Sequence, residues 1–371
     1  MPTALVLSGG GARAAYQAGA LEALAEIAPT LAVPIITGVS AGAINALHLA
    51  AHPGSLAEAA RDLRGQWARL TPEQVYAVRP AMFGRAVLRS IGDLLGRTSS
   101  RTVLRGVLDM HPLRGFLSAA ADVAGIGRNL ATQRLRAVAL STTSYNDGCT
   151  VTFVQGAPDV EMWARSQRYA VREPLTVDHV LASAAIPIVF PAIQLGRRGF
   201  FGDGSVRQAA PLAPAVHLGA RKLIAIGMRA HRPEPVMEIP AAEYPSSAEV
   251  MGLLMHSLFL DSLDADAERL ERVNDLLGRQ ATPHPVLQRV ELLLLRPTRN
   301  LGTMAGNYPF TVPRTVRWVV RGMGGGHRRA SDLLSYLLFA PPFTTDLMDL
   351  GYHDTIGRRG RVETFLAKDV T

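Results

Sequence analysis

The chain has 371 residues, 48% of them hydrophobic and 19% charged, which is ample for a large core and too weakly charged for a disordered polymer. A single cysteine, Cys149, excludes an internal disulfide framework and any cysteine-rich zinc module, and no apolar run approaches the ~18 residues of a membrane span. The formal charge is +8, and of 39 basic residues all but Lys222 and Lys368 are arginine; they are scattered, without a run of like charge or a nucleic-acid module, so nucleic acid is not an expected partner and the charge reads first as codon or surface bias, with peripheral attraction to an anionic membrane surface as the alternative.

From the N-terminus, Ala4–Leu7 reads as a short buried strand. The preceding residues lack the basic start of a signal peptide, so a cytoplasmic protein is expected. Gly9-Gly10-Gly11 forms a loop, and a helix follows from about Ala14 to Ile27, with Leu21, Leu24 and Ile27 at helical spacing. Pro34–Thr37 is a second buried strand, leading through a tight turn into a helix over Ala41–Ala51. This cadence predicts an α/β fold with a mainly parallel sheet covered by helices. Downstream, Leu135–Ser141 and Cys149–Gln155 read as strands joined by a hairpin at Asn146-Asp147-Gly148. A helix over Val177–Ala185 stops before Pro187, a short strand ends at Phe200-Phe201, a helix covers Leu212–Leu218, and Lys222–Gly227 is another buried strand. Proline-rich Arg232–Pro245 reads as a surface excursion, followed by one long helix from about Ala248 to Leu277, a last strand at Val290–Leu295 and C-terminal helices. With no flexible linker, one domain over 1–371 is expected. Its motif-bearing core spans about 3–228, with an insertion at 56–129 and an extension at 229–371.

The strongest chemical signal is Gly38-Val39-Ser40-Ala41-Gly42, placed between a strand and a helix as a nucleophile elbow requires. Gly38 and Gly42 remove side chains that would collide with the turn, and Ser40 stands at a helix N-terminus that favours developing negative charge. The second signal, Ser8-Gly9-Gly10-Gly11-Ala12-Arg13, can turn backbone N–H groups toward one point. It matches a dinucleotide fingerprint at Gly9, Gly11 and Ala14, but the second strand ends in Thr37 instead of the acidic residue that fingerprint needs, and no Walker lysine follows. An oxyanion hole beside Ser40 fits better, with a nucleotide- or phosphoanion-binding protein as the competing class. For the base, a conventional triad would draw on His284, His327 or His353, and no cue selects one. The carboxylate candidate is Asp203 in Asp203-Gly204-Ser205, which is not followed by a partner strand; Asp147-Gly148 is explained by its hairpin. An ordinary aspartate is a weak base at neutral pH and needs burial to work there.

These three pieces together resemble the patatin-like phospholipase family. Gly9-Gly10-Gly11-Ala12-Arg13 resembles its oxyanion loop, Gly38-Val39-Ser40-Ala41-Gly42 its elbow and Asp203-Gly204-Ser205 its Asp-Gly-Gly/Ala motif, in the same order. Ala182-Ser183-Ala184-Ala185-Ile186-Pro187, continuing to Phe190-Pro191, is similar to the segment that precedes the family's aspartate, and the Arg296-Pro297-Thr298 and Leu350-Gly351-Tyr352 neighbourhoods are similar to bacterial members. The resemblance implies a three-layer α/β/α fold and hydrolysis of lipid acyl esters by a serine–aspartate dyad, with no metal or organic cofactor. Ser40 would be the nucleophile and Asp203 its base. N–H groups around Gly9, Gly10, Gly11 and Ala41 would hold the oxyanion, Arg13 would support that loop, and Gly38, Gly42 and Gly204 would shape the motifs. Ser205 and Ala14 depart from the family pattern, where glycine or alanine and glycine are usual.

Two apolar segments suggest how lipid enters. Phe83, Val87, Ile91 and Leu94 share a helical face opposite Arg85, Arg89 and Arg97, which reads first as a helix packed on the core with a solvated charged face, with a basic interfacial helix as the alternative. Met251–Met255, running to Phe259-Leu260, could line an acyl groove or simply pack in the core.

Overall fold

The computed structural model describes residues 2–78, 106–230, 246–279, 287–308 and 331–368, together with 244 and 284. Its strands are β1 (Thr3–Leu7), β2 (Ile35–Val39), β3 (Ala77–Val78), β4 (Leu108–Asp109), β5 (Ala137–Ser144), β6 (Thr150–Gly156), β7 (Ala164–Arg165), β8 (Arg168–Arg172), β9 (Ile193–Gln194), β10 (Phe200–Asp203), β11 (Lys222–Ile226) and β12 (Glu291–Leu295). The order across the main sheet is β12-β11-β1-β2-β5-β6-β8-β7, with β10 and β9 attached through β5 and β3–β4 forming a separate ribbon. From β12 to β5 all neighbours run parallel. β1, β2 and β11 are buried along their whole length, which is why they read as continuous apolar runs.

Two cores flank this sheet. Leu5 and Leu7 of β1 join one core with Ile36 and Leu140, while Ala4 and Val6 join the other with Ile35, Ala139 and Leu223. Alternate residues of one strand thus feed opposite layers, which establishes the α/β/α sandwich. The hairpin at Asp147-Gly148 forms as expected, with β5 and β6 antiparallel and Asp147 Oδ1 accepting from Cys149 N at 3.0 Å.

On the first core, α1 (Ala15–Ile27) is buried on nearly every side, so its sequence is apolar all round and not striped. It packs against α3 (Leu56–Arg69) and against the helix Pro341–Ile356. α2 (Ala41–Ala51) follows β2 directly. The N-terminus of α3 is set by a capping box between Ser55 and Glu58, and its Ala59, Ala60, Leu63 and Trp67 are buried. The beginning of the 56–129 segment is therefore part of the core. The proposed interfacial face at Phe83, Val87, Ile91 and Leu94 lies outside the described residues, as does Arg232–Pro245 apart from Tyr244.

Two elements differ from expectation. Phe200-Phe201 begin a strand that runs on to Asp203 instead of ending one. The single helix expected over Ala248–Leu277 is two, Ser247–Phe259 and Asp261–Gly278. The reason is topological: Met255, Phe259 and Leu260 pack in the first core, whereas Leu263 and Ala267 pack in the second, and one straight axis cannot serve both faces of the sheet.

The crossing of α1 with Pro341–Ile356 is close enough that a side chain at Gly351 would strike the Tyr16 carbonyl oxygen, and one at Gly19 the Met348 carbonyl oxygen. Gly351→Ala is expected to lower stability by about 2 kcal/mol or more, despite the better helix propensity of alanine, because backbone cannot yield as a side chain can. Urea midpoints of the two proteins check this.

Candidate active site

The site is built where two strands share one edge of β5. β2 runs up that edge and ends with Val39 opposite Ser141, while β10 runs in the reverse direction and ends with Asp203 opposite Thr142. Because Ser141 and Thr142 are adjacent, the residue after β2 and the last residue of β10 are brought tip to tip. Those residues are Ser40 and Asp203. The approach is so close that a side chain at Gly204 would strike the Ser141 carbonyl oxygen.

Ser40 has φ 54° and ψ −130°, a strained conformation for a residue other than glycine, and is 1% exposed. The turn closes only because its flanks are bare. A Cβ at Gly38 would lie 2.5 Å from Gly42 O, and one at Gly42 would meet the carbonyls of Leu7 and Ser8. Ser40 N donates to Ser183 Oγ at 2.9 Å, and Ser183 Oγ donates in turn to Ser141 O at 2.7 Å. Ser183 thus pins the strained turn to β5. This supporting role was missed in the sequence, although Ser183 stands out there as the one polar side chain among small apolar residues at the end of the helix Val177–Ser183.

Asp203 is fully buried. Its backbone is fixed by Asp203 N donating to Ala185 O at 2.9 Å and by Thr143 Oγ1 donating to Asp203 O at 2.7 Å, and its Oδ1 accepts from Ser205 N at 2.9 Å. Burial pushes the carboxyl up to about 7, with the nearby Ser40 hydroxyl and the Ser205 N–H drawing it part of the way back. The Ser40 hydroxyl is close enough to favour the ionised carboxyl, yet no hydrogen bond closes between them, and among the described residues Asp203 Oδ2 has no partner.

The glycine loop closes the third side. A Cβ at Gly9 would fall 2.9 Å from Ser40 Cβ, 2.8 Å from Ser205 Oγ and 3.1 Å from Phe259 Cδ1, so this loop lies directly against Ser40 and Ser205. Gly11 has φ 56°, and among the described residues the N–H groups of Gly10, Gly11 and Ala41 donate no hydrogen bond. Arg13 finds its partners in the C-terminal part of the chain. Its buried guanidinium donates to Ser335 Oγ at 2.7 Å and to Asp332 Oδ1 at 3.2 Å, and lies 4.1 Å over the Tyr336 ring, tying the loop to the helix Ser331–Leu337. A buried chain of amides fixes the loop's base, with Gln17 Nε2 donating to Ser8 O, Asn45 Nδ2 to Gln17 Oε1 and Trp67 Nε1 to Asn45 Oδ1. In the segment 251–260, Met255 and Phe259 are buried, Phe259 beside Gly9, whereas Leu253 and Leu254 are exposed.

Among the described residues no histidine hydrogen-bonds to Ser40 or Asp203. His353 is exposed and donates to Asp349 O, His284 accepts from Leu287 N, and His327 lies outside the described residues. His48 donates to Ala59 O on the far side of α2. Among the described residues no acidic, histidine or cysteine cluster is arranged to hold a metal ion, and no helix is long and apolar enough to cross a membrane. A cleft of about 460 Å³ opens among Leu31, Val33, Ile36, Leu56 and Arg134, at the end of β2 remote from Ser40.

A family model described as patatin-like phospholipase matches residues 5–216, which takes in all three motifs. The chain belongs to the patatin-like phospholipase family. Among solved structures it is similar to human GIVD cytosolic phospholipase A2 bound to methyl gamma-linolenyl fluorophosphonate, with 14% identity and a TM-score of 0.39 over 98% of this chain and 59% of that one. It is also similar to VipD from Legionella pneumophila, with 12% identity and a TM-score of 0.33 over 94% of this chain and 67% of that one. The chain thus spans less than two thirds of the length of the human protein. No curated protein sequence matches it.

The buried carboxyl has a consequence for stability. The native state keeps the Asp203 proton up to about pH 7, whereas an unfolded aspartate loses it near ~3.9. Between these values the native state holds more protons, so this group makes stability fall as pH rises, and its cost is complete above about pH 7. Asp203→Asn removes that cost. The variant is expected to be more stable than the parent at pH 8, by up to ~4 kcal/mol, with the difference vanishing toward pH 4. Denaturant titrations at the two pH values check it.

Proposed function

We propose that this patatin-like chain is a serine acyl hydrolase that cleaves carboxylic esters of lipids, with phospholipid or lysophospholipid as the substrate class. The observation that carries this reading is the meeting of a strained serine and a fully buried aspartate at the facing tips of β2 and β10. Ser40 Oγ attacks the ester carbonyl while Asp203 takes its proton. A base is most useful when its pKa lies near the working pH, and burial brings Asp203 there. The N–H groups of Gly10, Gly11 and Ala41 receive the oxyanion, aided by the N-terminus of α2. Arg13 acts at one remove, holding the loop through Asp332 and Tyr336. The leaving alcohol departs with the proton from Asp203, and water releases the acyl group from Ser40. Family membership favours a lipid substrate, while the head group and chain length depend on a pocket whose shape the fold alone does not dictate.

A fluorophosphonate probe is expected to label the protein at one site and to fail on Ser40→Ala; absence of labelling in folded parent protein would overturn the assignment. Asp203→Asn is expected to lose on the order of 10³-fold or more in turnover, consistent with removal of a general base. Because the base must be ionised, kcat/KM is expected to rise about tenfold per pH unit below 7 and to level off above it. A profile that instead follows a late histidine, silenced by His284→Ala or His353→Ala, would reassign the base.

A further inference from the structure

The family pattern has glycine or alanine where this chain has Ser205, and the structure places that extra hydroxyl at the dyad. Ser205 is 8% exposed, and among the described residues its Oγ has no hydrogen-bond partner. It is not a displaced surface group. Ser205 N already holds Asp203 Oδ1 at 2.9 Å, and a Cβ at Gly9 would lie 2.8 Å from Ser205 Oγ and 2.9 Å from Ser40 Cβ, so both serine side chains crowd the same face of the glycine loop. The other orphaned buried atom here is Asp203 Oδ2. A buried hydroxyl and a buried carboxylate oxygen, two residues apart in the chain and each without a partner among the described residues, have the chemistry of a water-binding pair, since a buried water needs two or more polar partners.

Resting on the hydrolase reading above, we propose that Ser205 is a positioning residue for the second half-reaction, holding the water that Asp203 deprotonates to release the acyl group from Ser40. The water oxygen bonds to the acyl carbonyl carbon, one of its protons passes to Asp203, and the other stays hydrogen-bonded to Ser205 Oγ. The bond from the carbonyl carbon to Ser40 Oγ then breaks, and the proton on Asp203 returns to Ser40 Oγ as the carboxylic acid leaves. Acylation needs no such water, because the nucleophile is then Ser40 itself. Ser205 should therefore act on one half-reaction and not the other, which a merely structural role would not do.

The test compares parent, Ser205→Ala and Ser205→Gly protein. Fluorophosphonate labelling of Ser40 reports folding and nucleophile activation, and is expected to stay within about threefold of the parent in both variants. With a p-nitrophenyl acyl ester, the variants are expected to release nitrophenol in a burst close to one per active site, followed by a steady rate ~10–100-fold below the parent. Mass spectrometry should find the acyl group retained on Ser40, and added hydroxylamine should restore turnover. Burst and steady rate falling together, or a steady rate unchanged in both variants, would overturn the role of Ser205. Failure of the parent to be labelled at Ser40 would instead overturn the hydrolase reading on which it rests.

Discussion

Everything in the site follows from two strands of opposite direction occupying one edge of a third. β5 is longer than β2, and the edge left open beyond Ser141 is taken by β10 arriving from the other side. Strand pairing is rigid at the level of single residues, so the register that places Val39 against Ser141 and Asp203 against Thr142 also sets how closely Ser40 approaches Asp203. The sheet thereby does what a loop could not do with the same certainty, holding Ser40 and Asp203, from distant parts of the chain, in a common frame.

That frame is bought with strain and desolvation. Ser40 sits at a positive φ, and Asp203 is a fully buried carboxyl. Both are unfavourable in isolation and persist because neighbours over-determine them. Ser183 anchors the Ser40 amide to β5, Thr143 and Ala185 hold the Asp203 backbone, and the Gln17–Asn45–Trp67 chain secures the base of the glycine loop. The same burial that makes Asp203 costly pushes its carboxyl up to about 7.

The C-terminal part of the chain belongs to this machinery through Arg13. An arginine in the first motif finds its partners in Asp332, Ser335 and the Tyr336 ring, more than three hundred residues later. A planar guanidinium suits this position, since it can donate along its edge while stacking on an aromatic face. The helix Pro341–Ile356 is tied in separately by its close crossing with α1. Met255, Leu295, Tyr336 and Phe343, all beyond residue 229, pack in the same core as Leu5 and Leu7.

Local features were legible in the amino-acid sequence by itself. The buried strands β1, β2 and β11, the helices α1 and α2, the hairpin at Asp147-Gly148 and the elbow around Ser40 all depend on residues adjacent in the chain, because periodicity and turn sterics act over a few positions. Asp203 was visible only through a motif, since its ordinary chemistry marks it as a turn residue. Tertiary structure alone decided the break at Leu260, the anchoring of Ser40 by Ser183, the partners of Arg13, and the meeting of β2 with β10. It also decided the proton affinity of Asp203, because desolvation sums over every group that surrounds a charge, and those groups come from the whole length of the chain.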